Sequence, residues 1–115
     1  MNRFKDLDVY RKALAFTTVV RETTKQFPKD EVFGLSSQFK RAADSIVLNI
    51  AEGSGNTSDK EFARFLDYSI RSGFECIGCL DIALENKFIN QSEYSTISSQ
   101  VKEITAMLYG LKKSL

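Results

Sequence analysis

The chain has 115 residues, and its 16 basic and 15 acidic side chains give a formal net charge of +1. This balance provides no overall field that would draw the molecule onto nucleic acid or anionic lipid, so contacts with such partners require local patches of charge. Because 43% of the residues are hydrophobic while proline occurs once and glycine six times, the composition excludes a disordered chain and a turn-rich all-β fold, and predicts a single all-α domain over residues 1–115.

Apolar residues recur at helical spacing in two segments of the N-terminal half. The first predicted helix covers residues 8–27, and Pro28 ends it. Its apolar residues are Val9, Ala13, Phe16, Val20 and Phe27. After a short connector, a second helix is predicted over residues 35–52, with Gly53 as its C-terminal stop. Its apolar face consists of Leu35, Phe39, Ala42, Ile46 and Ile50.

Two capping signals predict the starts of a third and a fourth helix. Ser58 and Glu61 form a capping-box pattern, and the helix that follows fades near residues 87–88. Its core face comprises Phe62, Phe65, Leu66, Ser69, Gly73, Cys76, Ile77, Leu80 and Leu84. Asn90 and Glu93 suggest the next cap. The heptad seam beyond it is Tyr94, Ile97, Val101, Ile104, Leu108, Leu111 and Leu115. Four helices with short connections predict an antiparallel up-down-up-down four-helix bundle.

Several short motifs, read in order, are similar to those of one family. They are FKDLDVYRKA (4–13), FPKDE (27–31), FGL (33–35), QFKRAA (38–43), SI (45–46) and NIAEG (49–53), followed by Ser72, Phe74 and Glu75. Together they resemble the bacterial four-helix-bundle proteins encoded within 23S rRNA intervening sequences, which also resemble the accessory proteins of diversity-generating retroelements. The resemblance implies a ring-like homopentamer without established enzymatic activity and with a link to RNA or other nucleic acid.

The chain departs from the family pattern at two positions. Val47 stands where the family usually carries proline, so a kink of the second helix is expected to be absent or weaker. Arg71 stands where a small glycine is usual, which argues against close helix contact at that point. The near-neutral charge is also unlike that of the strongly basic retroelement proteins.

Polar residues form a line along the second helix, beside its apolar face. An antiparallel hairpin brings Arg41 within reach of Glu75 on the third helix, although Arg71 competes for the same carboxylate. We expect a hydrogen-bonded network at a subunit interface or ligand surface, the alternative being an ordinary solvated flank. The predicted network comprises Gln38, Arg41, Ser45, Asn49, Glu52, Ser72 and Glu75.

Apolar residues also occur away from the predicted core faces. On the second helix they are Val47, Leu48 and Ala51, and on the third they are Tyr68, Phe74 and Ile82. A contiguous exposed apolar surface usually marks a binding site, whereas scattered apolar side chains are normal. We expect these residues to mediate self-association.

Small clusters of basic residues are the candidates for contacts with nucleic acid. They are Arg3, Lys5, Arg11, Lys12, Lys40, Lys112 and Lys113. Most are interleaved with acidic residues, which is typical of solvated faces. An oligomer would nevertheless repeat each cluster around its axis and so form a ring of phosphate contacts.

The sequence offers little for catalysis. It contains no histidine, which removes the usual general base near neutral pH and the usual triad partner. Cys76 and Cys79 have Cys-x-x-Cys spacing, but without a second ligand pair we expect buried side chains, with Cys76 facing the core. The segment 53–58 lacks the lysine spacing and the strand of a phosphate loop, and is expected to be a flexible turn. We predict no enzymatic activity, no cofactor and no metal.

The sequence also predicts where the protein is located and what it binds. The first residues have no apolar signal core, and no apolar run approaches the ~20 residues of a membrane span, so a cytoplasmic protein without a membrane contact is expected. We predict a homo-oligomeric adaptor or scaffold associated with RNA. The alternative is an accessory subunit that binds a protein partner such as a reverse transcriptase.

Overall fold

A computed structural model describes residues 7–56 and 58–115 of the chain. It contains α1 (Asp8–Thr24), α2 (Leu35–Ser54), α3 (Asp59–Glu85) and α4 (Gln91–Lys113), with a short 3-10 turn at Lys29–Glu31. The 27 residues of α3 correspond to roughly 40 Å of helix, which accounts for the 43 Å long axis of the molecule. The prediction of an all-α protein with four helices is confirmed.

The order of the helices around the bundle follows their order in the chain. Each helix packs against the next, and α1 closes the bundle against α4. Neighbouring helices run in opposite directions, because Ser72 meets Ser45 while the earlier Phe65 lies against the later Gly53. In the same way, α3 and α4 are joined by Tyr94 to Asp81 at one end and Lys112 to Asp67 at the other. Helix α1 also runs opposite to α2, because Arg21 pairs with Asp44 while the earlier Leu14 shares a groove with the later Leu48, so the up-down-up-down arrangement is as predicted.

The core is formed by the apolar stripes predicted from helical spacing. All five apolar residues predicted for α2 are buried, as are the central residues of the α4 seam. The largest fully buried side chains are Phe39, Ile46, Ile50, Leu66, Leu80, Ile104 and Leu108. Because these residues come from three different helices, the bundle interior rather than any single helix surface excludes water from them.

Val47 corrects one prediction. It was expected on the outer surface, but its exposed fraction is only 7%. The reason is that α2 packs against α1 as well as α3, so its buried face is wider than one apolar stripe and also includes Ala43. Val47 lies in the α1–α2 groove beside Leu14 and Leu48.

Gly53 corrects a second prediction. It was expected to stop α2, but the helix continues to Ser54 and Gly53 is buried within its last turn. A Cβ atom on Gly53 would lie 2.6 Å from the Cβ of Phe65, which is too short for a contact between two non-bonded carbon atoms. Glycine is therefore needed here because α2 and α3 approach closely, and the chain turns only after it.

The first connector also differs from its prediction. Helix α1 ends at Thr24, three residues before Phe27, whose ring turns into the core and packs 5.5 Å from the Phe88 ring. The start of α2 is held by Glu31, whose Oε1 accepts a hydrogen bond from the Leu35 amide at 3.1 Å. The α1–α2 connector is thus fastened at both of its ends.

Side-chain caps begin the last two helices as predicted. The Ser58 hydroxyl accepts a hydrogen bond from the Glu61 amide at 3.1 Å. Both arms of the capping box are formed at α4, since the Glu93 amide donates to Asn90 Oδ1 at 2.8 Å and the Asn90 amide donates to Glu93 Oε1 at 3.0 Å. Such caps satisfy amide donors that the helix itself leaves unpaired.

The C-terminus of α3 ends on a lysine in a left-handed conformation. Lys87 has φ 63°, and the amides of Lys87 and Phe88 donate to the carbonyls of Leu84 and Ala83 at 3.0 and 2.8 Å. This pairing is the Schellman motif, in which glycine is the usual residue. The side chain of Lys87 therefore raises the conformational energy of the turn, whereas the hydrogen bonds of the turn are formed by the backbone alone.

A Lys87→Gly substitution is expected to raise the free energy of unfolding by about 1 kcal/mol, because glycine adopts positive φ without a steric penalty. Urea denaturation would measure the change. Lys25 provides a matched control, since it also follows a helix but has φ −61°, so Lys25→Gly should bring no gain. Equal effects of the two substitutions would contradict the explanation from backbone conformation.

Candidate functional site

A small polar network lies in the seam between α2 and α3. The Asn49 side-chain amide donates to the backbone carbonyl and the hydroxyl of Ser45, at 2.9 and 3.0 Å. The Ser72 hydroxyl lies 3.0 Å from the Ser45 hydroxyl and 3.1 Å from the Tyr68 carbonyl oxygen. The structure therefore brings together Ser45, Asn49 and Ser72 from the predicted network.

The other four predicted members remain at the margin of this seam. Gln38, Arg41, Glu52 and Glu75 are all exposed. Among the residues that the structure describes, no ion pair joins Glu75 to Arg41 or to Arg71. The short side chains of Ser45 and Ser72 fill the seam, which leaves the longer charged side chains in water, where an ion pair contributes little.

A buried serine also joins the two helices. Ser69 was predicted on the core face, and its fully buried hydroxyl donates to the Ile46 carbonyl at 2.9 Å. Together with Gly53 and Ser72, it gives the α2–α3 contact three small residues. Their small size permits the close backbone approach that larger side chains would prevent.

Two arginines bracket an aromatic pair on α3, and this group was not predicted. The guanidinium carbon of Arg64 lies 5.5 Å from the Phe65 ring centroid and 5.7 Å from that of Tyr68. That of Arg71 lies 5.7 Å from the Tyr68 centroid, and the two rings meet edge to face at 5.4 Å. We call these four residues the arginine–aromatic cluster. The steps of four and three between positions 64, 68 and 71 were the signal in the sequence.

The predicted apolar outer residues differ in their exposure. Leu48, Phe74 and Ile82 are 64%, 58% and 50% exposed, whereas Ala51 and Tyr68 are half-buried. Leu48 lies with Leu14 in the α1–α2 groove. Tyr68 and Phe74 are six residues apart, which at about 100° per residue directs them to different sides of α3.

The most exposed large apolar side chain described was not among the predicted site residues. Phe33, in the connector between α1 and α2, is 96% exposed, and its neighbour Val32 is 49% exposed. Both lie between the cap formed by Glu31 and the start of α2. An aromatic residue inside a polar connector was the available signal in the sequence.

Three of the five predicted basic residues that the structure describes are engaged in ion pairs. Arg11 pairs with Asp8 at 2.6 Å, Lys12 with Glu103 at 3.2 Å, and Lys112 with Asp67 at 2.8 Å. Lys40 is half-buried and Lys113 is exposed. Arg3 and Lys5 lie outside the described residues. These pairs agree with solvated, charge-balanced faces more than with a strong phosphate-binding patch.

The two cysteines are buried and unbridged, with Cys76 facing the core as predicted. Burial raises the pKa of the Cys76 thiol and raises the pKa of Cys79 to about 11, because the apolar surroundings disfavour a thiolate. Within the described part of the chain, no three metal-ligating side chains are grouped to hold an ion. Of the helices described, none has the length and hydropathy needed to cross a bilayer.

Comparison with known proteins agrees with this architecture. A crystal structure at 1.70 Å resolution of a protein of unknown function from the S23 ribosomal protein family of Bacteroides thetaiotaomicron superposes with a TM-score of 0.84 at 24% identity, covering 91% of this chain and 98% of that one. No curated protein matches the sequence. The family of 23S rRNA-intervening sequence proteins matches residues 5–110. The chain therefore belongs to the 23S rRNA-intervening sequence protein family.

Proposed function

We propose that the chain is a non-catalytic, cytoplasmic scaffold or adaptor that assembles into a homo-oligomeric ring and associates with RNA. The main support for assembly is the 96% exposure of Phe33. Burying a phenylalanine side chain stabilises a protein by about 1.5–3 kcal/mol, and aromatic side chains are typical anchors of protein interfaces. Because the bond from the Leu35 amide to Glu31 fixes the adjoining backbone, the ring is presented without a large ordering cost.

The distribution of the exposed apolar residues favours a ring over a symmetric dimer. Phe33 lies in a connector at one end of the bundle, whereas Leu14 and Leu48 lie in the groove between α1 and α2. Two different surfaces of this kind suit a heterologous contact, which repeats until the ring closes. Five subunits are proposed by resemblance to the family.

The remaining parts of the proposal have separate support. A chain without histidine lacks the commonest acid–base catalyst, and two unbridged cysteines suit a reducing compartment. The association with RNA is proposed from the family, whose description refers to 23S rRNA intervening sequences. A second candidate is an accessory subunit, for which Phe33 would instead bind a protein partner such as a reverse transcriptase.

Sedimentation velocity at about 10 µM is the test of assembly. We expect the wild-type chain to sediment as an oligomer and Phe33→Ser to shift it towards the 13.0 kDa protomer. Leu115→Ser removes a 40% exposed leucine beyond the end of α4 and should leave the assembly unchanged. A wild-type protein that remains monomeric would refute the scaffold proposal. Retention of one protein partner at high salt would favour the second candidate, whereas RNA binding should weaken steeply with salt.

A further inference from the structure

The arginine–aromatic cluster presents organised cationic planes on the outer side of α3. Arg64 and Arg71 are both exposed, and each guanidinium carbon lies within 5.7 Å of the Tyr68 ring centroid. An arginine held against an aromatic ring loses less freedom when its outer plane binds a ligand. The planar guanidinium also stacks and donates hydrogen bonds in a fixed direction.

The charges around the cluster distinguish its two arginines. Arg64 pairs with Glu61 at 2.8 Å, and the nearby Asp67 pairs with Lys112, also at 2.8 Å. Arg71 forms no ion pair with any carboxylate that the structure describes, although Glu75 follows it by one helical turn. Its side chain lies over the Tyr68 ring instead, which leaves its guanidinium exposed to solvent.

We propose that the arginine–aromatic cluster binds unpaired nucleotides of single-stranded RNA. A base stacks on the outer plane of one guanidinium of the cluster, and Arg71 donates to the adjoining phosphate. Unpaired bases expose the faces that such stacking requires, whereas an A-form duplex hides them. This inference rests on the RNA association in the proposed function and assigns to it a residue-level site and a preferred RNA form.

Fluorescence anisotropy with a labelled 12-nucleotide single-stranded RNA tests the site. Arg71→Lys keeps the positive charge but removes the planar guanidinium, and Tyr68→Leu keeps an apolar contact but removes the aromatic ring. We expect each substitution to weaken binding about tenfold. Glu75→Gln should strengthen binding about twofold, because it removes a carboxylate that lies one helical turn from Arg71. The same RNA annealed to its complement should bind more weakly than the single strand.

Lys29→Gln is the matched control. Lys29 is exposed in the α1–α2 connector and outside the cluster, and its loss should change the affinity less than twofold. Circular dichroism and sedimentation would verify that the variants keep their fold and assembly. If Tyr68→Leu fails to fold, Arg71→Lys decides the test alone.

The outcomes separate this inference from the proposed function. If the wild-type protein binds neither RNA form at about 50 mM salt, the RNA association and the site both fail. If it binds RNA but Arg71→Lys behaves as Lys29→Gln does, or if the duplex binds more tightly, the site is overturned and the RNA association stands.

Discussion

Replacing Gly53 with alanine is expected to lower the free energy of unfolding by about 1–3 kcal/mol. The added Cβ would lie 2.6 Å from the Cβ of Phe65 and 3.0 Å from a ring carbon of Phe62. Since a Cβ atom is fixed to its backbone, no change of side-chain rotamer relieves the first contact, and α2 and α3 must separate. That separation would also weaken the buried hydrogen bond from Ser69 to Ile46. Chemical denaturation monitored by circular dichroism would measure the loss.

The chain contains its own controls for this substitution. Alanine has a higher helix propensity than glycine by about 1 kcal/mol, and a Cβ on Gly78 or Gly110, both inside helices, would meet nothing within 4 Å. Gly78→Ala and Gly110→Ala should therefore stabilise the protein. Gly73 is an intermediate case, because its closest neighbour would be the methyl group of Thr105 at 2.5 Å, which can rotate. A gain in stability for Gly53→Ala would contradict the close α2–α3 approach.

The Cys79 thiol is expected to react with iodoacetamide at pH 8 about a hundredfold more slowly in the folded protein than in the unfolded chain. The thiolate is the reactive form, and burial raises the pKa of Cys79 from 9.0 to about 11. The pKa of Cys76 is raised further by burial and by the neighbouring Cys79, so it should react more slowly still. Alkylation followed by mass spectrometry would measure both rates, with guanidinium-unfolded protein as the reference. Rapid labelling of the native chain would contradict the burial of the pair.

The same pKa changes make the stability of the fold depend on pH. A thiol whose pKa is higher in the folded state contributes stability that is complete below the unfolded pKa and is lost as the pH rises. The free energy of unfolding should therefore decline between pH 9 and 11. The hydrogen bond of 2.6 Å from the Tyr94 hydroxyl to Asp81 raises the pKa of Tyr94 and acts in the same direction. A Tyr94→Phe variant separates the contribution of the thiols.

Helical spacing was sufficient to predict the fold. The seam of α4 and the apolar stripe of α2 each have one buried face, so a period of about 3.6 residues identifies them. Helical spacing was insufficient at Val47, because α2 contacts two neighbouring helices and the spacing does not indicate how wide the buried face is. Gly53 resembles a helix stop in sequence, but its role depends on the approach of α3, which no local pattern specifies.

The candidate site was less predictable. Ser45 and Asn49 are one helical turn apart, so their hydrogen bonds follow from the sequence, and the antiparallel hairpin adds Ser72. The partner of Arg71 did not follow, because an exposed arginine can pair with a carboxylate or lie over a ring at similar cost, and here Tyr68 is the partner. Phe33 was not assigned to the site because its exposure depends on how the connector leaves the bundle.

The circular order of the four helices has a consequence for how quickly the native state is reached. Three of the four helix contacts join segments that are consecutive in the chain, and only the contact between α1 and α4 closes a long loop. Chains with such low contact order cross their folding barrier on the microsecond to millisecond scale. The protomer can thus mature soon after synthesis, before any slower encounter between copies begins.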